Sequence, residues 1–200
     1  MTWKKGCKVL ATLTAETEAD LIIKSQQGDR NAFGELVRHY YPRVVNVVYR
    51  MCGEAALAED AAQEAFLRAW LHISSFRRGE PLRNWLYRIA VNAALDILRR
   101  RHEEPAEDET LQMIPEQSLG PEAALIEKER LALLQQAMRS LPEAARSALV
   151  LREYGELSYQ EIASVLDIPI GTVMSRLSYA RNRLREVLKE QILQAESEYV

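Results

Sequence analysis

A stripe of hydroxyl and guanidinium groups between residues 171 and 188 has the chemistry to read nucleic-acid bases. If this segment is a helix, at about 100° per residue, one side carries Thr172, Ser175, Arg176, Tyr179 and Arg183. Such groups on the first turns of a helix can reach base edges in a major groove. Arg181 and Arg185 lie off this side, where they suit phosphates or solvent. The alternative is an ordinary solvated helix face.

The charge of this segment runs against that of the whole chain. Its four arginines face the single carboxylate of Glu186, although the 200 residues have a formal net charge of -3. A phosphate responds to the local patch rather than to the total charge. The segment is therefore predicted to meet a phosphate-bearing partner.

The preceding residues supply the first half of a helix-turn-helix. Ser158 can cap a helix, and Glu161 three residues later completes a capping box. The Asp-Ile-Pro sequence at 167–169 ends that helix, because proline cannot supply a helical amide. A second helix is predicted to begin near residues 170–172. Its apolar side carries Val173, Leu177, Ala180, Leu184 and Leu188. Two short helices joined by a tight turn place the second one in a major groove.

A second basic segment, residues 77–101, combines an indole ring with seven arginines against two acids. Its predicted core face carries Leu86, Ile89, Ala90, Ala93 and Ile97. Another face carries Trp85, Arg88, Asn92 and Arg99, with Asp96 among them. A tryptophan beside arginines can stack on unpaired bases, and the loop at 76–84 can wrap a base removed from the stack. The alternative is that the indole belongs to the core.

A third segment, residues 58–71, has two unlike faces. Its predicted core face carries Ala62, Phe66, Ala69 and, just beyond, Ile73. The opposite face carries Asp60, Gln63, Glu64, Leu67 and Leu71. Acids mixed with leucines on an outer face indicate a protein partner rather than water. The alternative is an imperfect amphipathic helix.

The elements that position these residues are all predicted to be helices, because apolar residues recur at helical spacing and no strand alternation stands out. Residues 103–123 hold three prolines, a glycine and seven acids without a base. This composition predicts a flexible acidic linker. The predicted organisation is an N-terminal extension (1–16), two helical domains (17–102 and 124–190) and a C-terminal tail (191–200).

The residues that could support catalysis or bind a metal are scattered. No phosphate-binding glycine loop, nucleophile motif or metal-ligand spacing is present, and Cys7 and Cys52 form no framework. We therefore expect no enzyme activity, no catalytic residue, no metal, no cofactor and no small-molecule substrate. No apolar run approaches the length of a membrane span, so we expect a cytoplasmic protein without direct membrane insertion.

Five segments, in order, resemble the extracytoplasmic-function group of bacterial RNA polymerase sigma factors. They are QGDRNAFGELVRHYYPRV, DAAQEAFLRAW, WLYRIAVNAALDILRRR, LPEAARSALVLREYGELSYQEIA and IPIGTVMSRL. The resemblance runs from about residue 18 to 188. It implies two helical domains, called region 2 and region 4, in an alternative sigma factor that binds core RNA polymerase and directs promoter recognition, DNA melting and transcription initiation.

The resemblance also implies roles for individual residues. Docking on the clamp helices of the largest polymerase subunit falls to Asp60, Gln63, Glu64 and Leu67. Recognition and opening of the minus-ten element fall to Phe76, Arg77, Trp85, Arg88, Asn92 and Arg99. Recognition of the minus-thirty-five element falls to Thr172, Met174, Ser175, Arg176, Tyr179 and Arg183. Family members often carry a basic residue at positions 174 and 179, so the target sequence here is expected to differ.

The implied partners are core RNA polymerase (clamp helices and flap), promoter DNA and an anti-sigma factor. The acidic linker would pass through the active cleft of the polymerase towards the RNA exit channel, where its charge can mimic nucleic acid.

Two other functions are compatible with parts of the sequence. A stand-alone helix-turn-helix regulator would bind paired half-sites as a dimer. An enzyme with a DNA-binding tail would need a pocket lined by perturbed acids or bases in residues 17–102, and the sequence offers no candidate for one.

Overall fold

The chain folds as two groups of α-helices, one on each side of residues 104–132. The computed structural model describes residues 14–77, 79–103 and 133–198, and every regular element within them is a helix. The predicted all-α fold is therefore confirmed. Residues 1–13 of the predicted N-terminal extension and all but the first residue of the predicted acidic linker lie outside the described residues.

The N-terminal group contains four long helices. They are α1 (Ala15–Gln26), α2 (Arg30–Cys52), α3 (Ala55–His72) and α4 (Leu82–Glu103), with a 3-10 turn at Ile73–Ser75 after α3. The C-terminal group contains α5 (Glu143–Glu153), α6 (Tyr159–Leu166) and α7 (Ile170–Glu198), and helical residues 133–139 precede it. α7 continues through most of the segment predicted as a C-terminal tail.

Local signals set the ends of the first two helices. The hydroxyl of Thr14 accepts a hydrogen bond from the amide of Thr17 at the start of α1. The carboxylate of Asp29 accepts from the amide of Asn31 at 2.8 Å at the start of α2. α2 ends at Gly53, whose φ of 78° is left-handed and favours glycine. A Cβ at this position would lie 2.5 Å from Nε of Arg139, so a larger residue would also displace that side chain.

Small side chains let α3 pack closely on its neighbours. Within α3 the buried alanines are Ala58, Ala61, Ala62, Ala65 and Ala69. The predicted core face of α3 is confirmed, since Phe66 and Ile73 are buried as well. α4 buries Leu86, Ala90 and Ala93 as predicted, and also Tyr87, Val91, Ala94 and Leu98. α4 therefore packs over a wider face than its periodicity indicated.

The predicted helix-turn-helix is present in the C-terminal group. The hydroxyl of Ser158 accepts from the amide of Glu161, and the Glu161 carboxylate accepts from the amide of Ser158 at 2.8 Å. α6 ends at Asp167 in the left-handed conformation, and α7 begins after Pro169. Val173, Leu177 and Ala180 are buried, which confirms the predicted core side of the first turns of α7.

The two groups of helices contact each other at two places. α2 packs against α5, and α4 packs against α6. Among the helices of the described ranges, none combines the length and hydropathy that crossing a membrane requires.

Candidate nucleic-acid and protein interfaces

The outer face of α3 exposes two large apolar side chains. Leu67 is 61% exposed and Leu71 is 73% exposed, while Asp60 and Gln63 are exposed beside them. Exposed leucines next to one another on a single face are typical of protein interaction sites. Buried alanines pack the inner face of the same helix against the core, and the two leucines lie on the opposite face.

Glu64 on this face is already engaged within the chain. Its carboxylate accepts from Nε of Arg68 at 2.8 Å, and Arg68 reaches Asp96 of α4 at 3.1 Å. These ion pairs raise the pKa of the Arg68 guanidinium. The predicted docking residue Glu64 therefore also links α3 to α4.

The loop between α3 and α4 is held from α1. Nε2 of Gln26 donates to the carbonyl oxygens of Ile73 at 3.1 Å and Phe76 at 2.9 Å. The ring of Phe76 is only 6% exposed, and its centroid lies 5.2 Å from that of Trp85. The resemblance assigns Phe76 to DNA; in this structure its buried ring packs against the half-buried indole.

The remaining predicted residues of α4 share one face at different levels of exposure. Asn92 and Arg99 are exposed, as is Arg77 in the preceding loop. Arg88 is half-buried, and its Nη2 donates to Glu80 at 3.1 Å. The face that sequence analysis assigned to DNA is therefore open at Asn92 and Arg99 and occupied at Arg88.

The front of α7 presents the predicted base-reading side chains outward. Met174 is 55% exposed and Tyr179 is 51% exposed. Ser175 is exposed, and its hydroxyl donates to the carbonyl oxygen of Thr172 at 3.0 Å. Thr172 and Arg176 are half-buried. This face lies opposite the buried side of α7.

Three arginines of α7 have partners within the C-terminal group. Arg183 donates to Glu186 at 3.4 Å, and Arg185 donates to Asn182 at 3.0 Å. Arg181 was predicted to meet phosphates or solvent. It instead reaches Glu153 at the end of α5 at 3.1 Å and the hydroxyl of Tyr159, and both contacts raise its pKa.

Comparisons with known proteins agree on one family. Residues 36–104 match the model of sigma-70 region 2, and residues 131–184 match that of sigma-70 region 4. The ECF RNA polymerase sigma factor SigW of Bacillus subtilis is 37% identical over 82% of this chain and 93% of its own length. The chain belongs to the extracytoplasmic-function sigma factors. The RNA polymerase sigma-H factor of Pseudomonas aeruginosa is 35% identical over 92% of this chain and 100% of its own length.

Solved structures of sigma factors share the fold. RpoE of Bartonella quintana, solved in complex with the anti-sigma factor NepR, is 28% identical over 78% of this chain and 96% of its own, with a TM-score of 0.66. CnrH, solved in complex with the cytosolic domain of CnrY, has the same TM-score at 24% identity and covers 87% of this chain and 98% of its own. The protein is thus an alternative sigma factor, which directs transcription initiation and is not a catalytic enzyme. The stand-alone regulator is not favoured.

In this sigma factor, region 4 contacts the start of α4. Oε1 of Glu161 accepts from Nη2 of Arg83 at 2.9 Å and from Nδ2 of Asn84 at 3.1 Å. Nη2 of Arg88 donates to the carbonyl oxygen of Ser164 at 3.0 Å and to its hydroxyl at 3.2 Å. Residues from both regions therefore line one polar cleft.

A second contact joins region 4 to the end of α2. The buried guanidinium of Arg146 donates to the carbonyl oxygens of Met51 at 2.7 Å and Leu141 at 3.2 Å, and burial lowers its pKa. Gln135 donates to the hydroxyl of Tyr49. The guanidinium of Arg50 lies 4.8 Å from the ring centroid of Tyr154. This contact is more buried than the cleft at α4.

The carboxyl group of Glu161 has a pKa well below its ordinary value. Its pKa is lowered to about 2, chiefly by the hydrogen bond from the Ser158 amide. The Ser158 hydroxyl, Asn84 and Arg83 contribute to the same lowering of the pKa of Glu161. Burial acts in the opposite direction. Glu161 is therefore ionised throughout the neutral range, where it serves both the helix cap and the contact with region 2.

Sequence analysis did not single out Gln26 or Ser164 for a role, and it counted Glu161 only as a helix cap. It placed Arg83 and Asn84 in the loop at 76–84, whereas in the structure α4 begins at Leu82. The pairing of Arg83 with Glu161 spans 78 residues, and no local spacing signals such a contact. The available signal was that Arg83 and Asn84 are adjacent hydrogen-bond donors at the start of a helix in a basic segment, which suits an anionic partner.

The titratable groups of residues 14–77, 79–103 and 133–198 suggest neither a metal site nor a reactive thiol. In the described part of the chain, no group of three or more His, Cys, Asp or Glu residues could hold a metal ion. Burial raises the pKa of the Cys52 thiol to about 12, so the thiol is protonated at neutral pH and reacts slowly.

Proposed function

We propose that this sigma factor binds core RNA polymerase through α3 and reads promoter DNA through α4 and α7. The observation that supports this division is the exposed pair Leu67 and Leu71 on a helix whose other face is packed with alanines. An outer apolar face beside exposed Asp60 and Gln63 suits a protein surface, whereas the basic faces of α4 and α7 suit phosphates.

Docking on the polymerase falls to the outer face of α3. We assign Asp60, Gln63, Glu64 and Leu67 to the clamp helices of the largest subunit. Leu67 supplies apolar area that is exposed in the free protein, and Gln63 supplies an amide one turn earlier. Interface energy concentrates in a few such side chains. Glu64 keeps its ion pair with Arg68, so its role is to hold the side chains of this face in place rather than to offer an unpaired charge to the polymerase.

Recognition of the minus-ten element falls to α4 and the loop before it. Arg77, Asn92 and Arg99 are exposed and can reach DNA directly. Trp85 has a half-buried ring with Phe76 packed on it, which would hold the indole as a platform for an unpaired base. Arg88 joins this surface once region 4 has left it.

Recognition of the minus-thirty-five element falls to the front of α7. We assign Thr172, Met174, Ser175, Arg176, Tyr179 and Arg183 to this surface. Arg176 and Arg183 are the two side chains in this set that can read guanine through two hydrogen bonds, and Arg176 is the one nearer the start of the helix. Met174 and Tyr179 offer apolar and aromatic surface suited to thymine methyl groups. Region 4 would also contact the polymerase flap.

The remaining assignments concern organisation and partners. Region 2 spans residues 17–102, the acidic linker residues 103–123 and region 4 residues 124–190. The linker passes through the active cleft of the polymerase. An anti-sigma factor holds the protein inactive; the similar sigma factor RpoE of Bartonella quintana was solved in complex with the anti-sigma factor NepR. The protein works in the cytoplasm, where core polymerase is, without inserting into a membrane.

Run-off transcription tests the proposal. Core RNA polymerase is incubated with a promoter library randomised at both elements, with and without this protein. We expect transcripts that depend on the protein and that share two sequence elements. Protein that binds DNA as a dimer without polymerase, and yields no protein-dependent transcript, would overturn the assignment.

A further inference from the structure

The carboxylate of Glu161 occupies a place on region 2 that suits a phosphate. Its Oε1 accepts from the guanidinium of Arg83 and from the side-chain amide of Asn84. Arginine and asparagine side chains bind phosphate oxygens with the same donors. The two donors are adjacent in sequence, belong to the first turn of α4 and converge on one oxygen. They lie next to Arg88 on the helix assigned to the minus-ten element.

We propose that Arg83 and Asn84 form a site for a nucleic-acid phosphate, and that Glu161 of region 4 fills this site while the sigma factor is free of polymerase. The inference rests on the proposed assignment of α4 to promoter DNA. It adds two residues to the DNA-binding surface and predicts that the free protein binds DNA weakly, because region 4 and the DNA backbone compete for the same donors.

The neighbouring contact supports the same competition. Arg88 is predicted to bind DNA, but its Nη2 is taken by Ser164 of α6 and by Glu80. Its Nε is buried and has no acceptor among the described atoms. A buried donor without an acceptor costs free energy. A DNA backbone that replaces α6 at this surface would supply acceptors to the donors of Arg83, Asn84 and Arg88.

Glu161 can release region 2 without unfolding region 4, because its two oxygens have different partners. Oε2 accepts from the amide of Ser158 and completes the capping box of α6, whereas Oε1 faces region 2. The contact of Arg146 with Met51 lies elsewhere, at the end of α2. Loss of the Oε1 contact therefore weakens the packing of α6 on α4 and favours opening of the cleft, while the helix-turn-helix stays folded.

Three full-length variants test the competition. Glu161→Gln removes the negative charge but keeps a side chain that can complete a capping box. Arg83→Ala removes the same ion pair from the other side, together with the proposed phosphate donor. Glu35→Gln is the matched control, since it removes one carboxylate from an exposed ion pair with Arg38 on α2, far in sequence from both contacts.

The first measurement is the distance between the regions. Dyes are attached to cysteines introduced at the exposed positions Glu59 and Ser178, in a Cys7→Ser background, and energy transfer is recorded without polymerase. We expect lower transfer for Glu161→Gln and Arg83→Ala than for wild type and Glu35→Gln. Raising the salt concentration should lower the transfer of wild type, because partly exposed ion pairs are screened.

The second measurement is binding of a labelled single-stranded oligothymidylate by the same proteins without polymerase. Glu161→Gln should bind about 3-fold more tightly or better than wild type, which corresponds to the loss of a partly exposed ion pair. Arg83→Ala should bind more weakly than Glu161→Gln, with a salt slope lower by about 0.7. The two partners of one ion pair are thus expected to change DNA binding in opposite directions.

Two results would overturn the inference. If Glu161→Gln matches Glu35→Gln in both measurements, region 4 does not cover a DNA site. If Arg83→Ala binds the oligonucleotide as tightly as Glu161→Gln, Arg83 does not contact phosphate. Run-off transcription by the wild-type protein distinguishes these results from a failure of the proposed function. If transcription is normal, only the inference about Glu161 and Arg83 is overturned. If the protein supports no transcription, the assignment of α4 to promoter DNA is overturned first.

Discussion

The side-chain amide of Gln26 donates a hydrogen bond of 2.9 Å to the backbone oxygen of Phe76, which fixes the loop before α4 from the end of α1. The same nitrogen donates to the carbonyl oxygen of Ile73, so one side chain satisfies two backbone acceptors. Buried carbonyl groups that lose such partners are costly. Gln26 therefore positions the loop before α4, where the proposed minus-ten surface begins.

Gln26→Ala should lower the free energy of unfolding by about 1–3 kcal/mol, since it removes both hydrogen bonds. Promoter opening should weaken while binding to core polymerase is unchanged. Permanganate reactivity of the promoter reports opening, and co-migration with core polymerase reports binding. The exposed neighbour Gln27→Ala is the control. Equal permanganate reactivity for the two variants would contradict the positioning role.

Core binding should depend on the outer face of α3. The double variant Gln63→Ala, Leu67→Ala should fail to co-migrate with core polymerase on a sizing column. Loss of about 2–4 kcal/mol of binding free energy at an interface hot spot is enough to prevent assembly. Its melting temperature should match that of wild type, since both side chains are exposed. Arg38→Ala, on the exposed side of α2, should still co-migrate. Normal co-migration of the double variant would remove α3 as the docking site.

Replacing Asn92 and replacing Trp85 should both weaken promoter opening, but only the Trp85 variant should also lose thermal stability. Asn92→Ala should keep the melting temperature of wild type and weaken minus-ten recognition, because its side chain is exposed. Trp85→Ala should lose stacking worth about 1–3 kcal/mol and also melt at a lower temperature, because its ring packs on Phe76. Thermal melts and permanganate footprints on duplex promoter separate the two effects. Normal footprints for both variants would remove the melting role from α4.

The arginines of α7 should fall into two classes. Arg176→Ala should cost about 1–3 kcal/mol in promoter binding and relax preference at one or two base pairs. Arg181→Ala should instead cost about 0.2–1 kcal/mol of stability, because it loses a partly exposed ion pair with Glu153, and leave the preference unchanged. Tyr179→Arg should shift the preferred minus-thirty-five sequence towards guanine.

Transcription from a library randomised at the minus-thirty-five element measures these preferences. Identical preferences for wild type, Arg176→Ala and Tyr179→Arg would show that α7 does not read bases. A changed preference for Arg181→Ala would show that this arginine leaves Glu153 to contact DNA.

The stabilising effect of Glu161 should depend on pH only in the acid range. Folding lowers its pKa to about 2 from the ordinary value of 4.5, so its contribution is fully present above pH 4.5 and is lost as the pH falls towards 2. The difference in unfolding free energy between wild type and Glu161→Gln should be constant from pH 5 to about 8. Urea titrations at several pH values measure it. A difference that changes steadily between pH 5 and 8 would place the pKa elsewhere.

Sequence alone determined the helix-turn-helix and its outward face. The capping box of Ser158 and Glu161, the proline at 169 and the apolar spacing of α7 all act within a few residues, so they predict the same local structure in any surroundings. The buried face of α3 and the exposed leucines followed from periodicity in the same way. The motifs that resemble region 2 and region 4 added the family, which the comparisons confirmed.

Tertiary structure decided which charged and aromatic groups are available. The buried ring of Phe76 packs against Trp85, Arg181 pairs with α5, and Glu161 reaches Arg83 across 78 residues. Local periodicity places a side chain on one face of its own helix but does not say which helix covers that face. That choice depends on how the two domains pack, because an arginine pairs with whichever carboxylate the packing brings within about 4 Å.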